Sequence, residues 1–317
     1  FLFFSEMWER FGYYLMIGIF TLYLKDVKDG FAMNEAESAD LYGTFIALVF
    51  LTPFLGGLLA DRYFGYKKSI IFGGLLMGVG YCLMGVHKIE ILYTAMTLVI
   101  VGNGFFKPNI STLLGNIYSV PQHQDQKDEG YNIFYMGINV GAFICNFFGA
   151  ALQIMLGWKF AFLAAGVGMF IGVVVFLIGS KHFEGYVEKK GIQEGDMPMS
   201  RITATILLPA VVFGVLGWLI PGNFFGSDST DAFILSCIPV VYFYTTVFIK
   251  ADKEEKGPIG AMLAIFAVVI LFWAVFKQNG SALNTWADRY TDRAVTGKQE
   301  TVFNYLKQSK TLVYKKD

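Results

Sequence analysis

The apolar runs of this sequence are each close to twenty residues long, and that length decides the class of fold. A bilayer's hydrocarbon core is about 30 Å thick and takes roughly 20 mostly apolar residues to cross as a helix. Nine such runs are present: Phe1 to Leu24, Leu41 to Ala60, Ser69 to Val86, Ile91 to Leu114, Tyr131 to Met155, Phe160 to Gly179, Ile202 to Ile220, Ala232 to Ile249 and Ile259 to Phe276, the last with room to continue to Trp286. Strands of a membrane barrel would be about ten residues long and would alternate in character. These runs are longer and apolar all round. Composition agrees, since 55% of the 317 residues are hydrophobic and 16% charged, against about 25% charged in soluble domains. The expected fold is all-α, a polytopic membrane protein.

Charge and cysteine usage exclude other classes. Lys+Arg and Asp+Glu balance at 25 each, so there is no basic excess for nucleic acid and no acidic tail. Cys82, Cys145 and Cys237 lie inside apolar runs without metal or redox spacing and read as small packing residues. His87, His123 and His182 fall in loops and share no spacing with acids or cysteines, so neither a metal site nor histidine-based catalysis is expected. The chain opens at Phe1 inside an apolar run. It reads as a partial length with no cleavable signal peptide.

Orientation follows from the basic residues of the connecting loops. With the amino end inside, the inner loops hold eleven (Arg62, Lys67, Lys68, Lys127, Lys181, Lys189, Lys190, Arg201, Lys250, Lys253, Lys256) and the outer loops four (Lys25, Lys28, Lys88, Lys159). A cytoplasmic amino terminus is expected. The tail from Asp288 carries seven more basic residues, on the outside after nine spans, so that either it is a long loop, which obeys the rule weakly, or further helices follow it. The longest internal connector, Ser180 to Arg201, separates six spans from three, as in one half of a transporter made of two six-helix halves. The expected organisation is a six-helix bundle at 1–180, a cytoplasmic linker at 181–201, two additional helices at 202–250, the first helix of a second bundle at 251–287, and an unassigned tail at 288–317.

Five ionisable residues lie within or at the margins of these runs: Glu6, Glu9, Arg10, Lys107 and Lys277. Each costs about 2.5 to 3.5 kcal/mol at mid-bilayer, on the order of 12 to 18 kcal/mol for five left uncompensated. They must face one another or water. Glu6, Glu9 and Arg10 stand at i, i+3 and i+4, one helix face, continued by Tyr13, Tyr14 and Ile17. A fixed ion-pair network that glues helices is one reading, although Ser, Thr and small residues would do that more cheaply. The other is a water-filled path in which a carboxylate gains and loses a proton while Arg10 or Lys107 changes partners. Asp61, Arg62, Lys67 and Lys68, around Gly65, form a charged turn that can bond to helix ends or act as an anchor. Gly74/Gly78 and Gly168/Gly172 have close-packing spacing.

Four segments carry a family resemblance. EMWERFGYYL at Glu6 to Leu15 resembles the ExxER motif of the proton-dependent oligopeptide transporters, within the major facilitator superfamily. GNGFFKPNIS at Gly102 to Ser111 is similar to their fourth-helix segment with its lysine, and FYMGINVGAF at Phe134 to Phe143 to their fifth-helix motif. GGLLADRYFGYKKS resembles the superfamily's loop between helices two and three. The resemblance covers Phe1 to Trp286.

It implies the major facilitator fold and a proton-driven importer of di- and tripeptides, working as a monomer in the inner membrane with no cofactor beyond the proton gradient. The two additional helices match those that bacterial members carry between their halves. Glu6, Glu9 and Arg10 would serve proton coupling, with Lys107 as the partner that engages the acids. Tyr13 and Tyr14 correspond to hydroxyls lining the peptide site, Asn139 to an amide bonding the peptide backbone or amino end, and Trp273 with Ser281 to helix-seven pocket residues.

Three positions depart from the pattern. Ile17 stands where many members have an arginine, Lys277 where many have a glutamate pairing with it, and Phe50 where the pocket often has tyrosine. The first two departures imply that the outer gate bridge is absent and that carboxylate recognition rests on Lys107, Lys277 or both. They also keep open a transporter of the same fold for another solute, such as nitrate, a peptide-like drug or another amphoteric molecule. An intramembrane enzyme or scaffold would need a catalytic cluster or an interaction domain, and the sequence offers neither.

Overall fold

The structure is a computed structural model describing residues 1–186, 190–192, 196–276, 278, 282–292 and 294–309, with residue 288 described by its backbone alone. The described residues are helices and their connections. They are α1 Leu2–Lys25, α2 Glu35–Leu59, α3 Tyr66–Met84, α4 Ile89–Ile117, α5 Lys127–Leu156, α6 Trp158–Gly179, α7 Met199–Trp218, α8 Asp228–Lys250, α9 Lys253–Phe276, α10 Ala282–Tyr290 and α11 Lys298–Tyr305.

Among the described residues eight helices, α2 through α9, are long and apolar enough to cross a membrane. The ninth expected span, α1, is continuous over 24 residues and so about 36 Å long at 1.5 Å per residue, but it carries Glu6, Glu9, Arg10 and Lys25. The last apolar run does not continue unbroken to Trp286: α9 ends at Phe276 and Trp286 belongs to the separate α10.

Local chemistry explains the boundaries. Asn34 caps α2 reciprocally with Glu37: its side chain accepts from the Glu37 amide at 2.9 Å, and the Glu37 carboxylate accepts from the Asn34 amide at 3.0 Å. After α2 comes a π-helical turn, Ala60–Phe64, closed by Gly65 at φ 76°, a conformation that a side chain would strain. Tyr66 donates to the Asp61 carboxylate at 2.6 Å, and the Asp61 carbonyl accepts from the Gly191 amide at 3.0 Å. Gly157, at φ 90°, is the single residue between α5 and α6.

The chain divides into two compact units. One comprises residues 1–38, 48–192 and 292–317, the other 39–47 and 193–291. In the first, α3 packs on α4 and α6, and α1 on α5 and α6, around buried Phe20, Tyr23, Tyr66, Tyr81, Phe106, Phe162 and Phe176. The start of the connector after α6 belongs to this unit. Phe183 is buried beside Phe176, with ring centroids 5.4 Å apart. The tail returns to the same unit, where the Gln308 side-chain amide donates to the Phe147 carbonyl at 2.9 Å.

In the second unit α7 packs along α8. Asp231, fully buried, accepts from the Phe224 and Phe225 amides at 2.8 and 2.7 Å, while Asp40 of α2 accepts from Ser227 and Ser229. No described residue of α9 is buried. A helix apolar on every side requires lipid or further protein around it.

Candidate functional site

The α1 segment Phe3 to Gly12 runs between α5 and α6 at backbone contact. A Cβ at Gly137 or Gly141 of α5 would sit 2.8 Å from the Phe3 carbonyl oxygen or 2.3 Å from that of Met7. A Cβ at Gly172 of α6 would sit 3.1 Å from the Ser5 carbonyl oxygen, and one at Gly168 would sit 2.9 Å from Phe11. On α3, Gly74 and Gly78 instead receive α6 side chains, where added Cβ atoms would meet Val173 Cγ2 at 2.4 Å and the Phe170 ring at 2.6 Å. Gly137, Gly141 and Gly172 let the charged helix lie in the interior, because they bring its backbone against those of α5 and α6 with no side chain of their own between.

On α4, Pro108 has no N–H, so the Gly104 carbonyl loses its helical donor. The α2 backbone lies against that carbonyl at Gly56, where a Cβ would lie 2.0 Å from the oxygen. Side chain to backbone bonds secure the crossing: Thr52 to the Ile100 carbonyl at 2.8 Å and Asn103 to the Val49 carbonyl at 2.9 Å. Lys107 is thereby held where its side chain reaches α1.

Glu6, Glu9, Arg10 and Lys107 meet in one cluster. Both glutamates are fully buried, and Arg10 is nearly so. Arg10 donates to both oxygens of Glu9, through Nε to Oε2 and Nη2 to Oε1, and its Nε lies 3.4 Å from Glu6 Oε1. Lys107 Nζ donates to that same Glu6 oxygen and remains 30% exposed. Two carboxylates and two cations give formal neutrality, without which burial of these charges would be prohibitive. The Arg10 guanidinium also lies 4.7 Å from the Tyr13 ring centroid and 5.9 Å from that of Tyr14.

The other candidates fall elsewhere. Tyr13 is buried, Tyr14 half-buried, and Ile17 is buried one turn beyond. Phe50 is exposed on α2; Asn139 is exposed on α5, its amide donating to the Tyr135 carbonyl of its own helix at 3.1 Å. Trp273 lies in the second unit on α9, packed against Phe272 and Phe276 with centroids 5.4 Å apart in each case. Lys277 and Ser281 lie outside the described residues. Sequence reasoning passed over Gly137 and Gly141, whose four-residue spacing was visible, and Tyr81, which carries no motif signal.

The sequence matches the POT family (PTR2) over residues 67–304. The chain belongs to the POT family. The match extends into the tail, as far as residue 304; the α1 acids precede it. A POT-family chain of this kind is 32% identical over 303 residues to the uncharacterised transporter YclF of Bacillus subtilis, covering 90% of this chain and 59% of that protein. It is 31% identical over 294 residues to dipeptide and tripeptide permease A of Klebsiella pneumoniae, covering 92% and 57%. The chain therefore spans less than two thirds of the length of these curated relatives.

Among solved structures, a crystal structure of the peptide transporter POT in complex with sulfate matches with a TM-score of 0.76 at 30% identity, covering 97% of this chain and 64% of that one. A variant of a peptide transporter POT in complex with alafosfalin matches at 0.75 and 31%, covering 94% and 61%. The POT-family fold is that of the major facilitator superfamily, and this is a multi-pass membrane protein.

Proposed function

We propose that this protein is a proton-coupled symporter that imports di- and tripeptides by alternating access, with its amino terminus in the cytoplasm of an inner-membrane location. The observation that carries this reading is the buried, neutral cluster of Glu6, Glu9, Arg10 and Lys107 in a chain of the POT family. A buried carboxylate takes up a proton more readily once its counter-cation has withdrawn, so movement of Arg10 or Lys107 would couple protonation to the state of the transporter. The driving force is the membrane potential, about 2.3 kcal/mol per charge per 100 mV, together with the pH difference. We assign no enzymatic chemistry and no cofactor. A single copy carries the whole cycle.

Substrate contacts are assigned to Tyr13, Tyr14, Phe50, Lys107, Asn139 and Trp273, with Lys277 and Ser281 completing the set. A short peptide presents a carboxylate, an ammonium and amides, which call for a cation, an anion or carbonyl, and neutral hydrogen-bond partners. The relatives named as dipeptide and tripeptide permeases support this substrate class.

A second reading keeps the fold and changes the solute to nitrate, a peptide-like drug or another amphoteric molecule. It is favoured by Ile17, a buried apolar side chain where the family resemblance leads one to expect an arginine.

The deciding experiment is uptake of labelled dialanine by the complete protein in liposomes, under an inward proton gradient with and without a protonophore, for wild type and Glu9→Gln. The expected result is uptake abolished by the protonophore, with Glu9→Gln losing driven uptake and keeping peptide exchange. No dialanine uptake under any gradient would overturn the substrate and leave the second reading, whereas labelled dialanine uptake competed by dipeptides but not by nitrate would set the second reading aside.

A further inference from the structure

We propose that Tyr81 is the hydrogen-bond partner that receives Glu9 when Arg10 leaves it, a positioning residue for the proton-carrying step. This rests on the proton-coupling reading above. Tyr81 lies on α3 and is fully buried, its ring edge 3.2 Å from where a Cβ on Gly12 would be. Its hydroxyl has no hydrogen-bond partner among the described residues. Phenylalanine would fill the same space without burying an unmatched donor, so the hydroxyl calls for an occasion on which it is used.

The Tyr81 hydroxyl and Glu6 Oε2 are two of the buried polar atoms without a hydrogen-bond partner among the described residues. Glu6 Oε1 takes Lys107 and lies 3.4 Å from Arg10 Nε. Both oxygens of Glu9 are meanwhile occupied by Arg10. The ionisable groups in electrostatic reach of the Tyr81 hydroxyl are Glu9, Arg10 and Tyr13, all from α1; Lys107 of α4 and Glu6 act on Glu9 itself.

Rotation of Arg10 from Glu9 onto Glu6 would match Glu6 Oε2 and vacate Glu9 together. The vacated Glu9 binds a proton from the water path, forming one O–H bond, and its carbonyl oxygen then accepts from the Tyr81 O–H. Return of Arg10 expels that proton to the other side. Tyr81 gains and loses no proton; it holds the neutral carboxyl in place during the part of the cycle when Arg10 is elsewhere.

The test uses the complete protein in lipid, comparing wild type, Tyr81→Phe, Glu9→Gln and the double variant. Infrared difference spectra between acidic and neutral buffer identify the protonated Glu9 carbonyl as the band missing in Glu9→Gln. In Tyr81→Phe that band shifts to higher frequency, as for a carbonyl that has lost a donor, while the melting temperature stays at or above that of wild type. Driven dialanine uptake falls about tenfold, about 1.4 kcal/mol for one lost hydrogen bond, with exchange retained and no further loss in the double variant.

A Glu9 band unmoved by Tyr81→Phe, no such band at all, or failure of Tyr81→Phe to fold would overturn the proposal, the last because the hydroxyl would then have a partner in the resting protein. Absence of dialanine uptake by wild type would overturn the peptide reading instead, and the infrared comparison would still decide on Tyr81.

Discussion

Lys107 of α4 donates to Glu6 of α1 across a separation of 101 residues, and it is the exposed end of an otherwise buried charge cluster. Removing it leaves two buried carboxylates to one guanidinium. Breaking a buried pair costs about 3–5 kcal/mol, whereas removing both partners is close to neutral. Lys107→Gln should therefore lower the melting temperature of the purified protein markedly and abolish gradient-driven uptake. Glu6→Gln combined with Lys107→Gln should recover most of the stability but not the uptake. A double variant no more stable than Lys107→Gln alone would show that the pair does not act as a unit.

The α2 and α4 backbones meet at Gly56. Because a Cβ there would lie 2.0 Å from the Gly104 carbonyl oxygen, Gly56→Ala must push the helices apart, at about 1–3 kcal/mol. Gly43 of the same helix has nothing within 4 Å of an added Cβ, so Gly43→Ala should be neutral or raise stability by up to about 1 kcal/mol through helix propensity. Thermal unfolding of the two variants side by side checks the contrast; equal shifts would contradict it.

Asp231 holds the turn before α8 by accepting two backbone amides, those of Phe224 and Phe225. Asp231→Ala leaves both donors unmatched, each at about 1–3 kcal/mol if it stays buried. The expected readout is faster hydrogen exchange at the Phe224 and Phe225 amides, with α1 and α4 protected as in wild type. Unchanged exchange at those two amides would rule the anchoring role out.

Trp158 donates from Nε1 to Asp26 Oδ2 at 2.8 Å, while Asp26 Oδ1 accepts from the Lys28 and Asp29 amides at 2.8 and 3.2 Å. Trp158→Phe should cost about 1 kcal/mol, the usual net value of one hydrogen bond. Asp26→Ala, which loses all three acceptor contacts, should cost more. Melting temperatures in the reverse order would refute the assignment.

The helices were legible because an apolar run of bilayer length has one economical answer, and the stripe of Glu6, Glu9 and Arg10 was legible because helical spacing places those residues on one face. Gly74, Gly78, Gly168 and Gly172 announced close packing by spacing alone. Which oxygen of which glutamate each cation takes was not legible. Neither was the exposure of Asn139, whose amide bonds within its own helix, because a helix that is apolar on most sides does not declare which side faces its neighbours.

By itself the sequence determined the membrane-spanning class, the order of the apolar helices to within a few residues at their ends, and the need for its intramembrane charges to meet one another. Those properties follow from local periodicity and from the cost of putting charge in hydrocarbon. Only the tertiary structure decided that Lys107 and Arg10 share Glu6, that Gly56 fits beneath the carbonyl freed by Pro108, and that Tyr81 lies beside Gly12 with an unmatched hydroxyl. Each of these joins positions far apart in the chain, through helix approach distances set by side-chain volume, which spacing within any one helix does not encode.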